Sequence, residues 1–400
     1  MMNLKRTISK TALLTCVLTL YTSCGSRQIE ISPSETHTMT VSNRKPVIKV
    51  YIENSGSMDG YMADGSQLKD AVFDYVSDLS ASSAGVELNY INNRIIPFKG
   101  NLSNFIKTMT PSTFRAAGGN RASSDISHML SSILGNMRKS TVSIFVSDCI
   151  LDFKDVDAKK FLNNCQISIK NAVNEGRRKN PGLGIEIIKM LSDFSGTYYY
   201  PNGKAEKLSN VKRPYYIWIF GDSDILARLN TDVPLSRLGK YGFCGIAAYS
   251  GKTAAPYEIT NRSGASATIN PVGGKYEVTI KVDLRSTLQP ETVIQNPASY
   301  TFNNPSLRVE EVKPVTAAGS QYTHLINITI PESTTVIEEH LLFKAPGTAS
   351  WVRESNDDSG KDIRKNTGKT TGILHLVEGV ADAYRKDNIL TTLKFKVKRK

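Results

Sequence analysis

The chain has 400 residues, 40% of them hydrophobic and 22% charged. That is ordinary for folded soluble protein and enough for two or three domains, and it excludes a disordered or fibrous chain. Fifty Lys and Arg against 37 Asp and Glu give a formal charge of +13. The basic residues are dispersed and no aromatic stacking motif accompanies them, so the expected partners are anionic lipid, envelope polymer or acidic protein, with no nucleic acid.

Residues 1–23 have the layout of an export signal. Lys5, Arg6 and Lys10 precede a short apolar run from Ala12 to Leu20, and small residues follow. The run is too short to remain as a membrane span. Its removal takes away three positive charges and no negative ones, lowering the formal charge from +13 to +10. The segment ending at Cys24 resembles a bacterial lipoprotein signal, although Tyr21 stands where Leu is usual. The resemblance implies cleavage before Cys24 and lipid on that residue, which would anchor the chain to a membrane. Residues 24–45 are polar and read as a flexible tether. Of the remaining cysteines, Cys149, Cys165 and Cys244 are odd in number and read as small buried hydrophobes, not as a disulfide framework.

From about residue 46 to 235, strand and helix patterns alternate. Val47 to Glu53 is an apolar strand, and Leu68, Val72, Val76 and Leu79 mark a helix with Ser66 as its N-cap. Residues 86–90 read as a strand, and a Gly/Ala/Ser-rich loop spans 116–124. Ile126, Met129, Leu130, Ile133 and Leu134 share a helix face, and residues 141–147 form a buried strand closed by Asp148. Phe161, Cys165, Ile169 and Ala172 mark another helix, residues 184–191 and 215–220 further strands, and 224–229 a short helix. The expectation is an α/β domain with a doubly wound, mostly parallel sheet. From 240 to 400 the pattern alternates with period two, as at 276–284, 325–330 and 393–397, and predicts a smaller, sandwich-like β-rich domain. One helix interrupts it at Ile373, Leu376, Val377, Val380 and Tyr384. The terminal Lys394, Lys396, Lys398, Arg399 and Lys400 read as a lysine-guarded edge strand or as a site for an acidic partner.

The most informative run follows the first strand of the α/β domain. Glu53, Ser55 and Ser57 place oxygen donors at alternate positions, which on an extended segment point the same way. Such oxygens suit a hard divalent cation; the same run also fits a Ser/Gly turn. Ligands of parallel sheets bind beyond the strands' carboxyl ends, where Asp148 also falls, and Ser124 opens a helix. Together these residues bring two carboxylates and three hydroxyls to one rim.

Over about residues 46–232 the chain resembles the von Willebrand factor A (vWA) domain. That family's metal-ion-dependent adhesion site has Asp-x-Ser-x-Ser after the first strand, a Thr in a Gly-rich loop, and an Asp after the next core strand. Glu53, Ser55 and Ser57 match the first element, Ser124 with Gly118 and Gly119 upstream the second, and Asp148 the third. Glu53 replaces the usual Asp and Ser124 the usual Thr. The resemblance implies a Rossmann-like sheet, a bound Mg²⁺ (or Mn²⁺ or Ca²⁺) held by Glu53, Ser55, Ser57, Ser124 and Asp148, and a partner protein's acidic side chain as the last ligand. Asp59, Asp125 and Asp152 read as caps and solvated loop residues.

No enzyme is expected. Residues 220–223 resemble the nucleophile block of GDSL-type esterases, but the only Asp-x-x-His, at Asp125 and His128, precedes it. Asp222 and Ser223 read as a helix cap. The five histidines are scattered, without zinc-binding spacing. The expected function is metal-dependent protein recognition by a protein of a bacterial cell envelope, lipid-anchored to the outer membrane and facing periplasm or exterior. The alternatives are a metal-free structural module of an envelope assembly and, third, an esterase using Ser223.

Overall fold

A computed structural model describes residues 27–35, 45–63, 65–122, 124–152, 157–251, 255–385 and 388–400. The signal, Cys24 and most of the expected tether lie outside the described residues. Among the described residues no helix is long and apolar enough to cross a membrane.

Among the described residues, sixteen strands build three sheets. Strand β1 is Ile29–Pro33. The central sheet comprises β2 (Val47–Glu53), β3 (Gly85–Ile91), β4 (Ile95–Pro97), β5 (Thr141–Ser147), β6 (Leu183–Tyr199), β7 (Ala205–Asp222) and β8 (Phe243–Tyr249). Next come β9 (Tyr257–Ile259), β10 (Ala267–Ile269), β11 (Lys275–Val282), β12 (Tyr300–Phe302), β13 (Arg308–Pro314), β14 (His324–Pro331), β15 (Ile337–Lys344) and β16 (Ile389–Arg399). The helices are α1 (Gln67–Ala81), α2 (Leu102–Lys107), α3 (Pro111–Ala116), α4 (Ile126–Gly135), α5 (Ala158–Lys179), α6 (Ser223–Asp232), α7 (Glu291–Ile294), α8 (Ser350–Glu354) and α9 (Ile373–Tyr384).

The central sheet has the order β4-β3-β2-β5-β7-β6-β8. Only β3, β2 and β5 run parallel; all other neighbours are antiparallel. The expectation of a mostly parallel sheet is corrected to a mixed one. The reason is local: β6 and β7 follow each other through a tight turn at 200–204, and a parallel pair would need a crossover helix there. Alternating side chains feed two cores. Ile48, Val50 and Ile52 of β2 face α1, α2, α3 and α6, while Tyr51 faces α4, α5 and α9. The unit is a three-layer α/β/α arrangement.

The second unit is a β-sandwich. Sheets of order β10-β1-β16-β15-β12 and β13-β14-β11-β9 enclose one apolar core. Three boundary expectations are corrected here. First, Ile29–Pro33 is not tether: it pairs with β10 and β16 and buries Ile29 and Ile31. Second, β16 is not an edge strand, because β1 and β15 flank it; its alternate Leu393, Phe395 and Val397 are buried while its lysines lie on the other face. Third, β8 joins the central sheet, and α9 packs on α5 through Gly379 instead of covering the sandwich. The stretch 240–400 is therefore shared between both units. The cysteines are free; Cys149 and Cys165 are buried, but Cys244 is exposed.

Candidate functional site

Register dictates the meeting of the two carboxylates. Ile52 and Val146 are partners across the parallel β2–β5 pair, so Glu53 and Ser147 emerge side by side at the carboxyl rim and Asp148 follows. Cys149 then takes a left-handed φ of 54°, unusual for a residue with a side chain, and turns the chain sharply off the strand. After Glu53 the chain passes Ser55 and enters a single 3₁₀ turn, Ser57–Tyr61. The loop before α4 is fastened to the same rim. The Asn92 amide donates to Gly118 O (2.9 Å), and Gly56 N–H donates to Arg121 O (3.2 Å). Gly119 has φ 77°, and a Cβ there would meet Asn92 Oδ1 at 2.2 Å, so this approach requires glycine.

All five predicted residues meet. The Ser124 hydroxyl donates to one Glu53 oxygen and the Ser147 hydroxyl to the other. Ser55 Oγ and Ser57 Oγ lie 2.9 Å apart, and the Ser55 hydroxyl favours the charged form of Glu53 as the Ser57 hydroxyl does that of Asp148. Asp148 Oδ1 accepts from Ile150 N–H at 3.3 Å, but its buried Oδ2 has no hydrogen-bond partner among the described residues. Glu53 and Asp148 are fully buried; Ser124 alone of the five is only half-buried.

Burial dominates the electrostatics. It pushes the Glu53 carboxyl up to about 7, with the neighbouring Asp148 charge adding and the three serine hydroxyls opposing. Asp148 is raised for the same first reason, and the charge of Arg213 pulls it back. Arg213 was not singled out in the sequence. It comes from β7, is fully buried, and lies against the rings of Tyr198 (4.7 Å) and Phe194 (5.8 Å). Its Nη1 donates to Thr367 O at 3.3 Å, while Nε and Nη2 have no partner among the described residues.

The rim is roofed. The outer arms of β6 and β7 extend over the 3₁₀ turn: Tyr61 Oη donates to Pro214 O (2.6 Å), and the Tyr61 and Phe194 rings meet edge to face at 4.9 Å. Gly60 and Gly196 let these backbones touch, since a Cβ on Gly196 would stand 2.5 Å from Gly60 Cα. Residues 363–371 close the same end, with Tyr216 Oη donating to Thr370 Oγ1 (3.1 Å). A second arginine, Arg121, ties the loops together by donating to Asn54 Oδ1 (2.8 Å), Ser55 O (3.0 Å) and Asp59.

The remaining candidates have structural partners. Asp59 pairs with Arg115 and Arg121, and Asp125 caps α4 by accepting from His128 N–H (2.9 Å). Asp222 caps α6; Ser223 is buried and donates to Gly182 O (2.9 Å), with Ser250 its other hydroxyl partner. Missing from the sequence reading were Ser147, Arg213 and Arg121. Only Ser147, directly before Asp148 on a strand already assigned, had a usable signal.

A divalent cation is tested by its donors. Two carboxylates, hydroxyls and a buried carboxylate oxygen without a partner form a hard-oxygen set suited to Mg²⁺, Mn²⁺ or Ca²⁺. Among the described residues no three His, Cys, Asp or Glu side chains gather, so hydroxyls and water would have to complete the coordination. Comparison with known proteins found no matching family model and no matching curated protein.

Proposed function

We propose that the chain is a vWA-like recognition module of the cell envelope, lipid-anchored through Cys24, that binds a divalent ion with Glu53, Ser55, Ser57, Ser124 and Asp148. The observation carrying this reading is the convergence of those five side chains from three segments, with Asp148 Oδ2 buried and unsatisfied. The ion, when bound, supplies positive charge that relieves the Glu53–Asp148 repulsion and accepts a partner protein's carboxylate. Ser124, the half-buried member, marks the side from which that carboxylate enters. Ser147 holds Glu53 in place, and Arg121 fixes the loop carrying Ser55 and Ser57. The protein has no catalytic role in this reading. Capture of a partner from a native envelope extract should disappear with a chelator and with Asp148→Ala; undiminished capture in both would contradict it.

A second reading has a specific observation in its favour. Arg213 already supplies a buried positive charge near Asp148, and the β6–β7 arms roof the rim. On that reading the module is metal-free and structural, assembling through its sheets and sandwich. It requires that Mg²⁺ and Mn²⁺ change neither stability nor partner capture.

A further inference from the structure

The sandwich end nearest Cys24 carries features the recognition site does not use. Strand β1 begins at Ile29, which pairs with Ile269 on one side and Arg399 on the other. The chain before it is held as well: Lys400 N–H donates to Gln28 O (3.0 Å), and Tyr276 Oη donates to Arg27 O (2.5 Å). Arg27 is therefore fixed to the folded unit, three residues after Cys24. Three residues reach about 10 Å at most. A lipid on Cys24 leaves this end of the sandwich no room to stand away from the bilayer.

The same end presents apolar tips. Val272, in the β10–β11 turn, and Val336, in the β14–β15 connection, are each 63% exposed. The other exposed large apolar side chains among the described residues, Ile167 at 55% and Tyr199 at 44%, are less so. The two connections adjoin, since Glu332 N–H donates to Gly274 O at 2.9 Å. Basic side chains surround them: Arg27, Lys275, Lys398, Arg399 and Lys400, all exposed. Four acids lie among them: Glu332 pairs with Arg27 (3.6 Å), Glu277 with Lys275 (3.4 Å), Glu30 stands opposite Lys398 and accepts from Ser266 Oγ, and Glu338 stands opposite Lys396. Apolar tips ringed by lysine and arginine match an anionic membrane surface, where each such charge near the headgroups adds attraction.

We infer that this sandwich end, with Val272 and Val336 at its tips and the basic residues around them, rests on anionic phospholipid headgroups and sets the orientation of the whole molecule. The inference rests on the lipid attachment at Cys24 proposed above. Lys398, Arg399 and Lys400, at the end of an inner strand that needs no guarding, then have a role.

The test uses the mature acylated chain in vesicles, with a nitroxide label at Val272→Cys, Val336→Cys or Ser320→Cys in a Cys244→Ser background. Ser320 lies in the connection entering β14 at His324, the opposite end of that strand from Pro331. Mass spectrometry first reports whether Cys24 is acylated. In vesicles of phosphatidylethanolamine and phosphatidylglycerol, collision with a water-soluble nickel chelate should fall about threefold at 272 and 336 relative to 320, and less in phosphatidylcholine. Lys275→Glu with Lys400→Glu should return both positions toward the value at 320. Acylated protein with three equally accessible labels overturns the contact alone, and protection unaffected by the charge reversals overturns the anionic assignment. An unmodified Cys24 overturns the lipid attachment and this inference together.

Discussion

Replacing Glu53 by Gln should make the ion-free protein more stable at alkaline pH, and the size follows from the site. The Glu53 carboxyl titrates at about 7 in the fold against an ordinary 4.5, because it is buried beside Asp148. The folded state therefore holds a proton that the unfolded chain has already released between about pH 4.5 and 7. Stability from this group is fully present below 4.5 and is lost as pH rises through about 7, the reverse of a salt-bridged carboxylate. The shift corresponds to about 3 kcal/mol, or about 6–12 °C in melting temperature for a unit of this size. Gln keeps the shape, its Oε1 accepting from one of Ser124 and Ser147 and its NH2 donating to the other hydroxyl, and carries no charge to bury. Melting followed by circular dichroism in chelator from pH 4 to 8.5 should show a steeper fall for wild type than for Glu53→Gln. Glu186, also buried and pushed up to about 7, contributes a similar fall, so Glu186→Gln serves as a parallel control. Saturating Mg²⁺ should erase the Glu53 part and leave the Glu186 part. Identical pH slopes for wild type and Glu53→Gln would refute the electrostatic reasoning.

Other substitutions probe the frame. Arg213→Met leaves Asp148 without its buried counter-charge and should cost about 3–5 kcal/mol in chelator by urea denaturation, with part of the loss recovered in Mg²⁺. Gly196→Ala drives a methyl group into Gly60 and should cost about 1–3 kcal/mol while making the β6–β7 arms more sensitive to limited proteolysis; an unchanged cleavage pattern would count against the roof. Ile31→Ala should cost about 2–4 kcal/mol because its side chain lies in the sandwich core, whereas a residue in a tether would cost nothing.

Much of the site was legible because it is built from local signals. The apolar runs ending at Glu53 and Asp148 are central strands, and the parallel register then fixes their neighbours. The helices around Leu68, Ile126 and Cys165 have clear periodicity and the expected Ser66 and Asp125 caps. The β6–β7 arms were not legible: beyond Leu191 and before Tyr215 the residues are mixed polar and aromatic, and they are strands only because they pair with each other over the rim. That is why Arg213, the charge that faces Asp148, went unseen. Strand β1 is short and sits in a polar stretch, so nothing local distinguishes it from a tether; β16, its partner, supplies the reason it forms. The lysine alternation of β16 suggested an edge, yet it describes one solvated face of an inner strand.

The most direct test of the central claim is calorimetric titration of Mn²⁺ into the folded chain at pH 7 in two buffers of different ionisation enthalpy. One saturable site is expected, with proton release on binding because burial raises the Glu53 carboxyl toward that pH, and loss of the signal in Asp148→Ala with its far-ultraviolet spectrum unchanged. A folded wild-type chain that gives no saturable heat would contradict it.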